Sequence, residues 1–333
     1  MDDVLYHIRN LSVEYATRQG IVDAVNDVSF EIERGEVLGL VGESGCGKST
    51  LGKALMRMIR TPGRITNGEL WFDGVDLMPL SEREMRRLRG KRIGMIFQDP
   101  MTSLNPVQRI ADHLTETVLT HEPLVSTRAA RARAEDLVDR LGIRHERIED
   151  YPHQLSGGMR QRVMISLALA LRADLVIADE ATTSLDVIVE AQFLDLLREL
   201  RSEFNLTILL ITHNIGVVAE LADRVAVMYA GRLAELGSVY DVFGKPLHPY
   251  THGLLQSVPN IKLNEREDLY KMAGEPPDLT RPPAGCRFHP RCPEVMNICS
   301  RIAPGFTDHA DGQFAACWLY EDHPEKEVDT LAF

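Results

Sequence analysis

The chain has 333 residues, more than one compact domain usually needs, and its 44% hydrophobic and 26% charged content is that of a globular protein. Forty-nine acidic against 37 basic residues leave a net charge of −12, which argues against a nucleic-acid partner, because phosphate backbones require a basic surface. No long apolar run is present and the N-terminus, MDDVLYHIRN, lacks the basic and apolar regions of a signal peptide, so the chain is expected in the cytosol.

In chain order, residues 5–15 and 23–32 alternate apolar and polar, as half-buried strands do, with Gly20 in the turn between them. Residues 36–41 (EVLGLV) form an apolar strand that runs into a Gly-rich loop, and a helix is expected from Lys48 to about Ile59. Residues 81–92 read as a charged helix opened by a Ser81/Glu84 capping box. Helical segments follow at 106–120, 126–141 and 157–171, then strands at 173–178 and 206–212 around a helix at 187–202. Strands alternating with helices predict βαβ units and a mostly parallel α/β sheet, with the mainly helical block 99–160 as an inserted subdomain. Beyond a boundary near 245–260 the texture changes: prolines and glycines become dense, periodicity fades, and Cys286, Cys292, Cys299 and Cys317 appear. The expected division is therefore 1–245 and 246–333.

Gly42-Glu43-Ser44-Gly45-Cys46-Gly47-Lys48-Ser49 fits G-x-x-x-x-G-K-[ST], followed by Thr50. Glycines let backbone N–H groups turn inward around phosphate oxygens, and the helix that follows adds its positive N-terminal end. Lys48 is expected to reach the outer phosphates and the Ser49 hydroxyl to ligate Mg²⁺. Leu175-Val176-Ile177-Ala178-Asp179-Glu180 is an apolar strand ending in two acids, and ligands sit at the carboxyl ends of parallel strands. Asp179 is placed to hold Mg²⁺ and Glu180 to orient and deprotonate the attacking water, since phosphoryl transfer depends on positioning and charge stabilisation.

Leu155-Ser156-Gly157-Gly158-Met159-Arg160-Gln161 resembles the signature motif of ABC ATPases, in which Ser156, Gly157 and Gly158 head a helix able to face a second γ-phosphate. The resemblance covers about residues 4–240 and implies a P-loop NTPase, RecA-like core. It also implies that Gln98 in IFQDP is the Q-loop residue sensing Mg²⁺, that Ser184-Leu185-Asp186 is the D-loop, that His213 in ITHN is the switch histidine, and that Tyr15 stacks on adenine. Ala181 departs from the proline the family commonly places after the catalytic glutamate, but removes no catalytic group. Because the chain has one phosphate loop and one signature motif, the family's sandwich of ATP between two such domains implies dimerisation.

The segments His248–Leu255 and Gly285–Pro293 are similar to the C-terminal extension of oligopeptide and dipeptide importer ATPases. This resemblance implies a peripheral protein on the cytoplasmic side of the inner membrane. Its partners would be a second, homologous ATPase subunit, two transmembrane permeases and an extracytoplasmic binding protein. The cysteines fall as C-x5-C-x6-C-x17-C, a set of thiolates suited to Zn²⁺ or an iron–sulfur cluster. The absence of C-x2-C pairs disfavours zinc, and the subfamily resemblance favours a [4Fe–4S] cluster; zinc, with His289 or His309 as extra ligands, and free or disulfide-linked cysteines are the alternatives. The same importer machinery for another solute (a nickel chelate, glutathione or an oligosaccharide) is one alternative; exporter ATPases and soluble ABC ATPases of DNA repair or translation are the others. Exporters often carry a fused membrane domain; the soluble ATPases carry coiled coils or a second ATPase domain, none of which the sequence displays.

Overall fold

In the computed structural model, residues 3–97, 104–182, 187–257, 272–310 and 312–322 are described. The first half of the chain runs β1 (Val4–Thr17), β2 (Gly20–Glu33), β3 (Val37–Val41), α1 (Lys48–Leu55), β4 (Gly63–Phe72), β5 (Val75–Asp76), α2 (Glu82–Leu88), β6 (Ile93–Ile96), α3 (Ile110–His121) and α4 (Thr127–Arg140). It continues with α5 (Gly157–Leu169), β7 (Leu175–Asp179), α6 (Val187–Phe204), β8 (Thr207–Ile211), α7 (Ile215–Leu221), β9 (Arg224–Tyr229), β10 (Arg232–Ser238), α8 (Val239–Gly244), α9 (Pro249–Gln256), β11 (Thr307–Ala310) and β12 (Gln313–Ala315). Two compact units interleave along the chain: Met1–Leu5, Ile32–Val37 and Phe72–Ile211 form one; Tyr6–Glu31, Leu38–Trp71 and Thr212–Phe333 form the other.

In the first unit, β6, β7 and β8 are parallel neighbours, with Ile177 opposite Met95 and Leu209. All three strands are buried along their length, which is why their sequences are unbroken apolar runs. The β6 run, IGMI, is too short to show periodicity and was not among the expected strands. Helices α3 and α4 close on a small core of Val118, Ala130, Ala170 and Leu171. Helix α2 starts one residue after the expected cap: Ser81 Oγ accepts from the Glu84 N–H while the Glu84 carboxylate accepts from Ser81. A chain of ion pairs, Arg34–Asp73–Arg92–Asp174, ties three sequence-distant stretches of this unit together.

In the second unit, β3 lies parallel to β9, with Leu40 opposite Ala226, and β9 turns back antiparallel into β10. The turn is Ala230-Gly231, both with positive φ (46° and 83°), the left-handed pair a two-residue hairpin needs. Ala-Gly is a weaker turn signal than Asn-Gly, and this hairpin was not among the expected elements. β12 pairs with β10 and β11 with β12, so part of the tail extends the sheet. The carboxylate of Glu235, wholly buried on β10, accepts from the backbone N–H groups of Leu247 and His248 and from Gln313 Nε2, all at 2.8–2.9 Å. A buried charge must have such partners.

Candidate nucleotide-binding site

The phosphate loop belongs to the second unit. Strand β3 delivers the chain into Gly42, and α1 begins at Lys48 with Gly47 as its N-cap (φ 107°). A Cβ added at Gly42 would stand 2.1 Å from the Met228 carbonyl oxygen, and one at Gly47 2.2 Å from the Ala24 carbonyl oxygen. Neither approach tolerates a side chain, so the loop lies close against β9 and β2 only because both residues are glycine. The Gly231 N–H donates to the Cys46 carbonyl at 2.8 Å, fixing the loop from the hairpin side. Ser44 and Gly45 are exposed at its crest; Ser49 and Thr50 are half-buried in the first turn of α1. Lys48 is 4% exposed, and its ammonium donates to the carbonyls of Gly42 (2.8 Å) and Glu43 (2.9 Å). Burial pushes the Cys46 thiol up, against the opposing pull of Lys48, so this cysteine is a protonated packing residue.

Tyr15 is half-buried near the end of β1, and a Cβ at Gly63 would stand 2.5 Å from its ring. His213 follows β8 and is exposed. Its neighbours hold the backbone there: Thr212 N–H donates to the Leu40 carbonyl at 3.2 Å, and Asn214 caps α7 by accepting from Gly216 and Val217.

The paired acids and the signature segment belong to the first unit. Asp179 is 2% exposed at the carboxyl end of β7, in register with Ile211. Glu180 comes next with φ 48° and donates its N–H to the Ile211 carbonyl at 2.9 Å. That left-handed conformation costs a non-glycine residue about 1 kcal/mol, strain of the kind that clusters where a side chain must be aimed. Ser156 is the N-cap of α5: its Oγ accepts from the Met159 N–H at 3.3 Å. Gly157 is exposed with open space where a Cβ would be, so the head of α5 can be approached by an anionic group. Gln161, one turn into α5, is wholly buried and donates from Nε2 to the Ala181 carbonyl at 2.7 Å. The signature helix therefore pins the residue that follows Glu180. Sequence reading gave Gln161 no such role; its position on a buried helix face was the available signal.

Gln98 and the Ser184-Leu185-Asp186 segment lie outside the described residues. What the described residues form is a glycine cradle with a buried lysine in one unit, and in the other a strand ending in two acids beside a capped, open helix head. A model of ABC transporter ATPase domains matches residues 25–183, and a model of the oligopeptide/dipeptide transporter C-terminal region matches residues 234–299. The dipeptide transport ATP-binding protein DppD of Bacillus subtilis is 47% identical over 98% of this chain and 98% of its own length. The chain belongs to the ATP-binding subunits of oligopeptide and dipeptide ABC transporters. The oligopeptide transport ATP-binding protein OppD of Salmonella typhimurium is 48% identical, over 95% of this chain and 94% of its own. Among solved structures, the dimeric MJ0796 ABC transporter cassette superposes with a TM-score of 0.65 at 26% identity, over 71% of this chain and 99% of its own. This ATP-binding subunit is thus an ABC-type ATPase on an α/β P-loop fold, its hydrolysis coupled to transport. No helix among the described residues is long and apolar enough to cross a membrane.

Among the described residues no group of three or more His, Cys, Asp or Glu side chains is arranged to hold a metal ion. Cys286, Cys292, Cys299 and Cys317 are all free, and the expected [4Fe–4S] or zinc site is not assembled from them, with or without His289 and His309. The thiols do lie near one another: burial first, and then neighbouring cysteines, push Cys292 up to about 11 and Cys317 up to about 12. Packing around Phe288, Tyr229 and Tyr250 supplies the local core.

Proposed function

We propose that this subunit powers the uptake of small peptides across a prokaryotic cytoplasmic membrane by binding and hydrolysing ATP with Mg²⁺. The observation that carries the reading is the phosphate loop, closed against the Met228 and Ala24 carbonyls with the Lys48 ammonium inside it. In this reading the N–H groups of Gly42, Ser44, Gly45, Cys46 and Gly47, with Lys48 and Thr50, bind the phosphates, and Tyr15 stacks on adenine. Ser49, Gln98 and Asp179 hold Mg²⁺; Glu180 takes the proton of the attacking water; His213 contacts the γ-phosphate. Ser156, Gly157 and Gly158 face the nucleotide of a second, homologous ATPase subunit. Partners of that complex are two permeases and an extracytoplasmic binding protein, with this chain peripheral on the cytoplasmic face. The peptide cargo is supported by relatives whose names specify dipeptide and oligopeptide transport.

The deciding experiment is purification of the tagged subunit from its own membranes in mild detergent. Two permeases, a second ATPase and a binding protein carrying peptides are the expected companions; ribosomal or DNA-associated partners without membrane proteins would overturn the reading. The finer reading of the tail, that its four thiols take an iron–sulfur cluster or zinc, rests on donor chemistry and the subfamily resemblance. Iron, acid-labile sulfide and zinc analysis of anaerobically purified protein tests it, and a metal-free preparation at full ATPase activity rejects it.

A further inference from the structure

Glu43 is the one acid within residues 42–49, and its side chain would place a negative charge in a loop whose task is to hold phosphates. Arg291, from the tail turn between Cys286 and Cys292, answers it. Arg291 Nη1 donates to Glu43 Oε2 at 2.7 Å and Nη2 donates to Oε1 at 3.0 Å, a two-pronged pair that a lysine cannot form. The same Nη1 reaches the Tyr229 hydroxyl at 3.3 Å, Nε donates to the Ala273 carbonyl at 3.0 Å, and the guanidinium lies 5.7 Å from the Tyr229 ring centroid. The Arg291 side chain is 5% exposed and that of Glu43 26%, so water screens the pair little.

The backbone of the same residue is held from the same direction. Glu43 N–H donates to the Tyr250 hydroxyl at 2.9 Å, and Tyr250 stands with Tyr229 and Phe288 in one aromatic cluster. On its other side, the Glu43 carbonyl accepts from Lys48. Arg291 is placed by a short turn in which His289 donates to Cys286, Arg291 to Phe288 and Cys292 to His289 along the backbone. A line of direct contacts thus runs from the cysteine turn through Arg291 and Glu43 to the phosphate-loop lysine.

We propose that Arg291 is a positioning residue for nucleotide binding: by clamping and neutralising the Glu43 carboxylate, the C-terminal tail sets the ATP affinity of the phosphate loop. The proposal rests on the ATPase reading. Without Arg291, a part-buried carboxylate faces incoming phosphate charge, and the residue that supplies one of the two carbonyls holding Lys48 is less firmly placed. Breaking one side of such a pair leaves the other uncompensated, which is more damaging than removing both.

The test uses the full-length chain and a fluorescent ATP analogue, with steady-state hydrolysis of ATP measured in parallel. Arg291→Ala is expected to weaken analogue binding about five- to ten-fold and to raise KM by the same factor, with kcat changed less than about two-fold. Arg291→Lys keeps the charge but not the two-pronged geometry and is expected to lie between; it also keeps the test readable if the alanine variant unfolds. The double variant Arg291→Ala, Glu43→Gln is expected to recover wild-type affinity to within about two-fold, because the stranded charge is gone. Unchanged affinity in folded Arg291→Ala overturns the proposal. A double variant as weak as, or weaker than, the single one also overturns it, because the pair would then be only a brace of the fold. If the wild-type chain binds no analogue, it is the ATPase reading that fails.

Discussion

Alanine at Gly47 and alanine at Gly45 separate the two physical demands made on the phosphate loop. Both glycines have positive φ, 107° and 79°, so either substitution places an L side chain in a conformation worth roughly 1–2 kcal/mol of strain. They differ in surroundings. A Cβ at Gly45 meets nothing within 4 Å, whereas one at Gly47 stands 2.2 Å from the Ala24 carbonyl oxygen and 2.8 Å from Met228 Cε. The methionine tip can swing away; the carbonyl is backbone and cannot. The loop must shift by about an ångström, which carries Lys48 and the start of α1 with it. We expect Gly45→Ala to weaken nucleotide binding by no more than about ten-fold, the equivalent of ~1.4 kcal/mol. Gly47→Ala should weaken it by about a hundred-fold or more and lower the melting temperature of the nucleotide-free protein further than Gly45→Ala does. Fluorescent-nucleotide titration and differential scanning calorimetry read the two quantities. Equal losses at the two positions would refute the argument, because strain alone would then account for both.

Glu180→Gln keeps the volume and the left-handed turn but removes the base; turnover is expected to fall by about a hundred-fold or more with ATP binding intact, measured by phosphate release and nucleotide titration. Ser156→Ala removes the cap of α5, worth about 1 kcal/mol, and should lower hydrolysis by the assembled transporter while leaving nucleotide affinity of the isolated subunit unchanged. His248 gives a pH dependence with a definite sign. It is buried, caps α9 by accepting from the Tyr250 N–H, and burial pushes it down from 6.5 to about 4. Between those values the unfolded chain binds the proton and the folded one does not, so stability falls as pH drops through this window, by up to about 3 kcal/mol. His248→Asn, which retains a capping side chain, should flatten that part of the urea-denaturation profile between about pH 7 and pH 5.

The phosphate loop was legible in the sequence because its demands are local. A strand, six residues of turn chemistry and a helix start are contiguous, so the motif can be read from one stretch of chain. The paired acids were legible for the same reason: an apolar run names the strand, and the strand's end names the position of Asp179 and Glu180. The elements that escaped share the opposite property. β6 is four residues long and buried on both faces, so no period betrays it. The β9–β10 hairpin is turned by Ala230-Gly231, where an alanine takes a left-handed conformation that its identity does not advertise.

In the tail, geometry assigns weight to a residue that counting ligand types does not single out. Four cysteines within one short segment drew attention to metal chemistry, yet the described residues assemble no metal-holding group there. The residue that reaches the nucleotide machinery is Arg291, one position from Cys292 and separated from Glu43 by 248 positions in the chain. No spacing rule could pair them, since the contact joins distant parts of the chain. Composition could have raised one question: why a phosphate loop would carry an acid at its second position. A carboxylate there adds negative charge beside the phosphate site, and the fold sets a cation from the tail against it. The relation between tail and ATPase core is therefore electrostatic at its centre, and a tail that loses its turn at Cys286–Cys292 is expected to lower nucleotide affinity before it affects the chemistry of hydrolysis.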